Sequence, residues 1–284
     1  MTMVATGAAG TAAVGDTAAA IAVLPRVLLA DVTTPADVHG VHGAKGLSHW
    51  KCLAGRHDLS GEWEAVEWAS IPPGGVSGEH RHTRTEELYF LLSGEGEMYL
   101  DGTPHAVSTG SLIVTGLGTV HGLVNTGTTR LDWLVAEIRS PHTSRALRGR
   151  TTNPPGDASR RQTEEEADVN AQVHRLGDEQ SIDPTTFLTG PLRLIETVTV
   201  APGGSVDLAA IDTEHTVFVL SGSGTAVSSD SEARLGSGVS VTLPKGTSVQ
   251  LSADRSDAAG DGNADGLRLF HVELSLTTTA VEDR

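Results

Sequence analysis

Cysteine is almost missing from this chain. Cys52 stands alone among 284 residues, so no intrachain disulfide braces the fold. A reducing cytosol is then the simplest compartment, and a cytoplasmic protein is expected. Basic side chains are outnumbered, 20 Lys and Arg against 36 Asp and Glu, for a formal net charge of −16. A surface of that sign repels phosphate backbones and anionic lipid, which excludes nucleic acid and membrane surfaces as expected partners. No apolar run approaches the roughly 20 residues of a membrane span. The N-terminal stretch MTMVATGAAGTAAVGDTAAAIAVLP lacks a positive start, and Gly and Asp interrupt it. It reads as part of a flexible tail over residues 1–30 and not as a signal peptide.

Aromatics are also scarce, at 4%, while there are 33 glycines. That balance favours short strands joined by tight turns over long helices. The runs EWEAVEWASI, ELYFLLSG, EMYLDG, SLIVTG, HGLVN and LDWLVAEI fit this pattern, with turn signals between them. The pattern stops near residue 140. Residues 141–180 are charged, Pro-containing and poor in apolar side chains, as a linker would be, with a short helix expected in RRQTEEEADVNAQV. Strand-like runs resume over 181–284, and they repeat the first set. SIPPGG and EELYFLLSGEG are echoed by VAPGG and EHTVFVLSGSG, and GSLIVTGLG by GVSVTLPKG, in the same order. The expectation is an all-β protein with a duplicated domain, over 31–140 and 181–284.

One stretch carries chemistry: GGVSGEHRHTRTEELYFLLSG, from Gly74 to Gly94. His80 and His82 alternate along an extended chain and so point the same way. Glu87 follows after a short turn, and His121 comes later, behind the glycines of GSLIVTGLGTVHGLVN. Three imidazoles and a carboxylate suit Fe(II), Mn(II), Ni(II), Zn(II) or Cu(II).

These residues resemble the cupin family. Its first motif, G-x5-H-x-H-x4-E-x6-G, is matched by Gly74, His80, His82, Glu87 and Gly94. Its second, G-x5-P-x-G-x2-H-x3-N, is matched by Gly110, Gly118, His121 and Asn125, with Gly116 where proline is expected. The resemblance implies two tandem cupin (jelly-roll) barrels, with His80, His82, Glu87 and His121 as metal ligands. Glu86 is the rival to Glu87; the six-residue step to Gly94 selects Glu87, and alternation turns Glu86 out of the barrel. In the second copy His215 stands at the Glu position, Leu208 and Ala210 (or Ala209 and Ile211, with a one-residue slip) at the His positions, and Val249 at the last His. That barrel is expected to be metal-free, so one divalent transition metal per chain is implied, Fe(II) or Mn(II) being favoured.

The same resemblance implies a metal-dependent enzyme on a small organic substrate, first a dioxygenase. The alternatives are a non-redox isomerase, lyase or cyclase and, more weakly, a non-catalytic binding protein. Tyr89 shares the parity of Glu87 and faces the barrel interior, as a candidate for substrate contact or as plain packing. HGVHGAKG at 39–46 and the four tryptophans are open to the same two readings. Leu88, Phe90 and Leu92 face the other way and are apolar as well, so a second sheet, barrel or subunit should cover them. Homodimerisation through those faces is left open.

Overall fold

A computed structural model describes residues 26–44, 46–149, 171–178, 180–229, 231–255 and 266–276. In the first half, the strands are β1 (Leu28–Asp31), β2 (Ala36–His39), β3 (Leu47–Gly55), β4 (Trp63–Ile71), β5 (Val76–Arg81) and β6 (Thr85–Ser93). They continue with β7 (Glu95–Leu100), β8 (Thr103–Ser108), β9 (Ser111–Thr115), β10 (Val120–Asn125) and β11 (Leu131–Arg139). After helix α1 (Pro141–Gly149) come β12 (Ala171–Arg175), β13 (Ser181–Ile182), β14 (Leu192–Val200), β15 (Ser205–Ala209) and β16 (Thr213–Ser221). The series ends with β17 (Ser223–Val227), β18 (Glu232–Gly236), β19 (Val239–Leu243), β20 (Ser248–Ala253) and β21 (Leu267–Ser275).

The strand orders make the duplication plain. One sheet runs β12-β9-β6-β11-β4-β3-β2, and its counterpart β1-β19-β16-β21-β14-β13. The shared middle is β9-β6-β11-β4 in one and β19-β16-β21-β14 in the other. Two four-stranded sheets, β5-β10-β7-β8 and β15-β20-β17-β18, close the barrels. The fold is all-β, two jelly-roll barrels in tandem, as expected.

The domain edges differ from the expectation. The tail was placed over 1–30, but Leu28 already pairs with Thr242, so β1 belongs to the C-terminal barrel's sheet. The linker was placed over 141–180, but α1 opens it, and β12 pairs with β9 in the N-terminal barrel. Residues 160–170 of the expected helix lie outside the described residues, and 171–173 are strand. Each barrel thus takes an edge strand from beyond its own core segment. Such strands form because an exposed sheet edge offers unpaired N–H and C=O groups, a tertiary cause that local propensity does not encode.

Alternation along β6 sorts its side chains between two cores. Tyr89 and Leu91 join Ile71, Met98, Leu123 and Trp133 inside the N-terminal barrel. Leu88 and Phe90 join Leu134, Ile138, Phe218, Phe270 and Leu274 in a core between the barrels. The rings of Phe90 and Phe270 stack there, 4.2 Å apart and 9° from parallel. The two-faced apolar strands are therefore covered by the other barrel of the same chain.

Two buried carboxylates pin this interface. Glu86 Oε1 accepts from the Thr189 N–H (2.9 Å) and hydroxyl (2.7 Å), and Oε2 from the Gly190 N–H (2.9 Å). At the matching position of β16, Glu214 accepts from the N–H groups of Ser60 and Gly61, both at 2.8 Å. A Cβ at Gly190 would lie 2.5 Å from Glu86 Oε2, and one at Gly61 2.9 Å from Glu214 Oε2. Only glycine allows so close an approach. Glu86 does point out of its barrel, as expected, but into the other barrel's loop and not into solvent.

Candidate metal centre

Register brings the ligands together. β10 lies beside β5 with His121 opposite His80, while His82 follows just past the end of β5. Glu87 reaches the same point from β6, in the facing sheet. One ligand atom from each of the four lies within 4.8 Å of all the others. Glu87 Oε2 is 2.8 Å from His121 Nε2 and 3.4 Å from His82 Nε2.

The other ring nitrogens show which atoms are available. His80 Nδ1 lies 2.9 Å from the Gly78 carbonyl, so it carries the proton and leaves Nε2 as a bare lone pair. His82 Nδ1 contacts the Thr85 hydroxyl at 2.7 Å, and that hydroxyl reaches Glu137 Oε2 at 3.5 Å. A carboxylate, a hydroxyl and an imidazole thus form a chain ending at His82 Nε2, the arrangement that orients ligands in metal sites. His82 Nε2 and Glu87 Oε2 are buried without a hydrogen-bond partner. Buried polar atoms are normally paired, so two orphans facing one point are what a cation would satisfy.

Burial shapes the charges. It pushes the His80 and His121 imidazoles down to about 4, and His82 down as well, so all three are neutral and ready to donate lone pairs. The same burial raises Glu87 to about 7, against a lowering by His82. Glu137 rises to about 8, first through burial and then through the charges of Glu87 and Glu67.

Not every expected departure matters. Gly116 replaces the motif proline, yet the turn after it is fixed by the Gly118 N–H donating to the His82 carbonyl at 2.9 Å. Asn125 has a structural part, its Nδ2 donating to the carbonyls of Ile71 (3.1 Å) and Thr129 (2.8 Å).

Tyr89 stands at the site. Its hydroxyl is 3.3 Å from His121 Nε2 and also hydrogen-bonds Glu87. Trp133 stacks on Tyr89 at 6.1 Å one layer deeper, whereas Trp63 and Trp68 pack in the core between the barrels. Of the HGVHGAKG stretch, His42 comes to the site. It sits in a 3-10 turn, Val41–Gly43, with its ring 3.5 Å from His80 and 9° from parallel. Sequence reasoning did not single out Glu67 and Glu137. They share the inward face with Glu87, since Glu137 pairs with Glu87 and Glu67 with Val135, which pairs with Tyr89. The alternation in EWEAVEWASI and LDWLVAEI was the signal that would have found them.

The C-terminal barrel holds no such centre among the described residues. His215 is not solitary, however. Its Nδ1 lies 3.0 Å from His271 Nε2, and its Nε2 is 2.9 Å from the Thr213 hydroxyl. His271 Nδ1 in turn contacts Glu196 Oε1 at 2.8 Å. Every imidazole nitrogen of this pair is already engaged.

Residues 67–137 match the family model described as Cupin domain. Over 105 residues the chain is 29% identical to an oxalate-binding protein of Thermotoga maritima, a span of 37% of this chain and 87% of that protein. Among solved structures, Escherichia coli YlbA superposes with a TM-score of 0.64 at 12% identity, covering 90% of this chain and 94% of that one. The nickel(II) complex of E. coli pirin YhhW gives 0.59 at 13% identity, over 89% and 100%. Bacillus subtilis oxalate decarboxylase OxdC gives 0.56 at 14%, over 88% and 79%. At such identities these structures speak to the fold alone. The N-terminal barrel, matched over residues 67–137, is a cupin domain that carries the His3Glu group, and the C-terminal barrel repeats its strand plan.

Proposed function

We propose that the N-terminal barrel is the active site of a metal-dependent enzyme that acts on a small organic molecule. The observation that carries this reading is the convergence of His80, His82, Glu87 and His121, with His82 Nε2 and Glu87 Oε2 orphaned and facing one point. When bound, a divalent transition ion would supply Lewis acidity and a template for an oxygen-bearing substrate, with Fe(II) or Mn(II) favoured. Ligation would use Nε2 of His80 and His82, whose Nδ1 atoms are occupied by Gly78 and Thr85.

The surrounding side chains favour proton-transfer chemistry of the isomerase or lyase kind. Glu137 and Glu67 are half-buried carboxyls on the inward face, and both lie above the ordinary carboxylate range through burial. Groups shifted in that way can hold or accept a proton near neutral pH, beside an electrophile. Tyr89, raised well above its ordinary value by burial, stays a hydrogen-bond donor at the same place. The curated relative is named for binding oxalate, and OxdC for decarboxylating it; both names fit a site built for small oxygen donors. The dioxygenase reading is second. Four protein ligands on an octahedral ion leave two positions, enough for a substrate and dioxygen.

The deciding experiment has two steps. Elemental analysis of the purified chain should find about one first-row ion per chain. Turnover of a screened substrate that persists under strict anaerobiosis supports proton transfer, while strict oxygen dependence selects the dioxygenase.

A further inference from the structure

Beyond the ligands, the inward face of the N-terminal barrel has an unusual charge pattern. Three carboxyl groups, Glu67, Glu87 and Glu137, share it. The charges that act on Glu137 are Glu87, Glu67 and Glu64, all of its own sign. Several described cations of this half are engaged elsewhere: Arg56 with Glu64, Arg130 with Ser70, Arg139 with Glu62 and Lys51 with Thr34, while Arg84 is exposed. Arg81 is exposed and alternates with His80 and His82, which sends it to the other side.

The Glu87 charge would be answered by the metal. Glu67 has one donor, the Trp50 side chain, and Glu137 has only the long contact from Thr85. A carboxylate has about four lone-pair positions, so both retain acceptor capacity. Independently, the Trp133 indole N–H is buried in the same interior, 4% exposed, with no acceptor. Tyr89 and Trp133 add aromatic faces, which attract cations.

We infer that this inward face selects a small substrate carrying a protonated amine as well as an oxygen donor for the metal, with Glu67 and Glu137 receiving the ammonium. An oxalate-like dianion would meet the metal but would gain nothing from an ionised Glu67 or Glu137. The inference rests on the proposed metal centre, and it parts from what the name of the Thermotoga relative suggests.

The test uses the full chain loaded with Co(II), whose visible spectrum reports ligand binding. The probes are 3-aminopropanoate, propanoate and oxalate. The first two share a carboxylate and differ in the ammonium. The expected order is 3-aminopropanoate about tenfold tighter than propanoate, the scale of one charge-assisted hydrogen bond, with oxalate no tighter than propanoate. Glu67→Gln should bring the first ratio close to one, at unchanged Co(II) content. Oxalate binding most tightly would overturn the inference, as would an equal ratio in wild type and variant, or no response to any probe. Failure to hold Co(II) at all would instead refute the metal centre, and the inference with it.

Discussion

His80 and His82 are each held by a different second contact, to Gly78 and to Thr85, and this sets what their loss should do. His82→Ala removes one of four ligands while leaving the barrel core of Leu91, Met98 and Leu123 untouched. Metal affinity should fall by about 100-fold or more, with far-ultraviolet dichroism and cooperative unfolding retained. Full metal content in that variant would show that the ligands are misassigned. Thr85→Val is subtler. It keeps the volume but cuts the chain from Glu137 to His82 Nδ1, so metal affinity should drop roughly tenfold, read by competition with a chelator.

Protonation gives a further residue-scale expectation. His80 and His121 sit near 4 in the fold, below their ordinary 6.5, so the unfolded chain takes up protons first and stability falls as pH drops from 6.5 toward 4. Glu87 is raised from 4.5 to about 7; its contribution is present below 4.5 and is lost as pH rises through about 7. A divalent cation holds Glu87 ionised and competes with protons for the imidazoles. The rise in melting temperature on adding Mn(II) should therefore be larger at about pH 8 than at about pH 5. Equal shifts at the two values would contradict the assignment.

At the scale of elements, the two glutamate clamps decide how the barrels dock. β6 and β16 each send one carboxylate to the loop that precedes the other barrel's β14 or β4. Glu86→Gln exchanges an acceptor for a donor beside the N–H groups of Thr189 and Gly190, leaving a buried group unpaired. The expected loss is about 3 kcal/mol in denaturant unfolding, with metal content little changed. Gly61→Ala should be comparably harmful, because its Cβ would lie 2.6 Å from Leu274 and 2.9 Å from Glu214. A Glu86→Gln protein as stable as wild type would show that the clamp contributes nothing net.

For the whole molecule, the C-terminal barrel is a structural partner. Phe218, Phe270, Val272 and Leu274 cover Leu88, Phe90, Leu134 and Ile138 of the N-terminal sheet. A fragment of residues 1–140 would expose that face and would also lose β12 from the edge of β9. It should be insoluble or unfold without cooperativity, and hold little metal. A soluble, metal-loaded fragment would reject this role. The engaged nitrogens of His215 and His271 keep the expected stoichiometry at about one ion per chain, and two tightly held ions would count against it.

Alternation and repeats in the sequence were enough to give the duplicated all-β plan and the split of Tyr89 from Phe90, while the set of His80, His82, Glu87 and His121 came from the resemblance of two motifs to the cupins. These are local quantities: side chains alternate with period two, and a fixed spacing across a tight turn sets which residues meet. Tertiary structure decided the rest. Glu86 was legible as outward-facing, but only the docked barrels show that outward means buried. Residues 28–30 and 171–175 read as tail and linker because their partners, β19 and β9, lie far away in sequence. Glu67 and Glu137 become neighbours of Glu87 only when β4 and β11 pair beside β6. His42 reaches His80 only because its turn folds onto β5. Pairing between distant strands creates these contacts, and no window of the sequence contains both members.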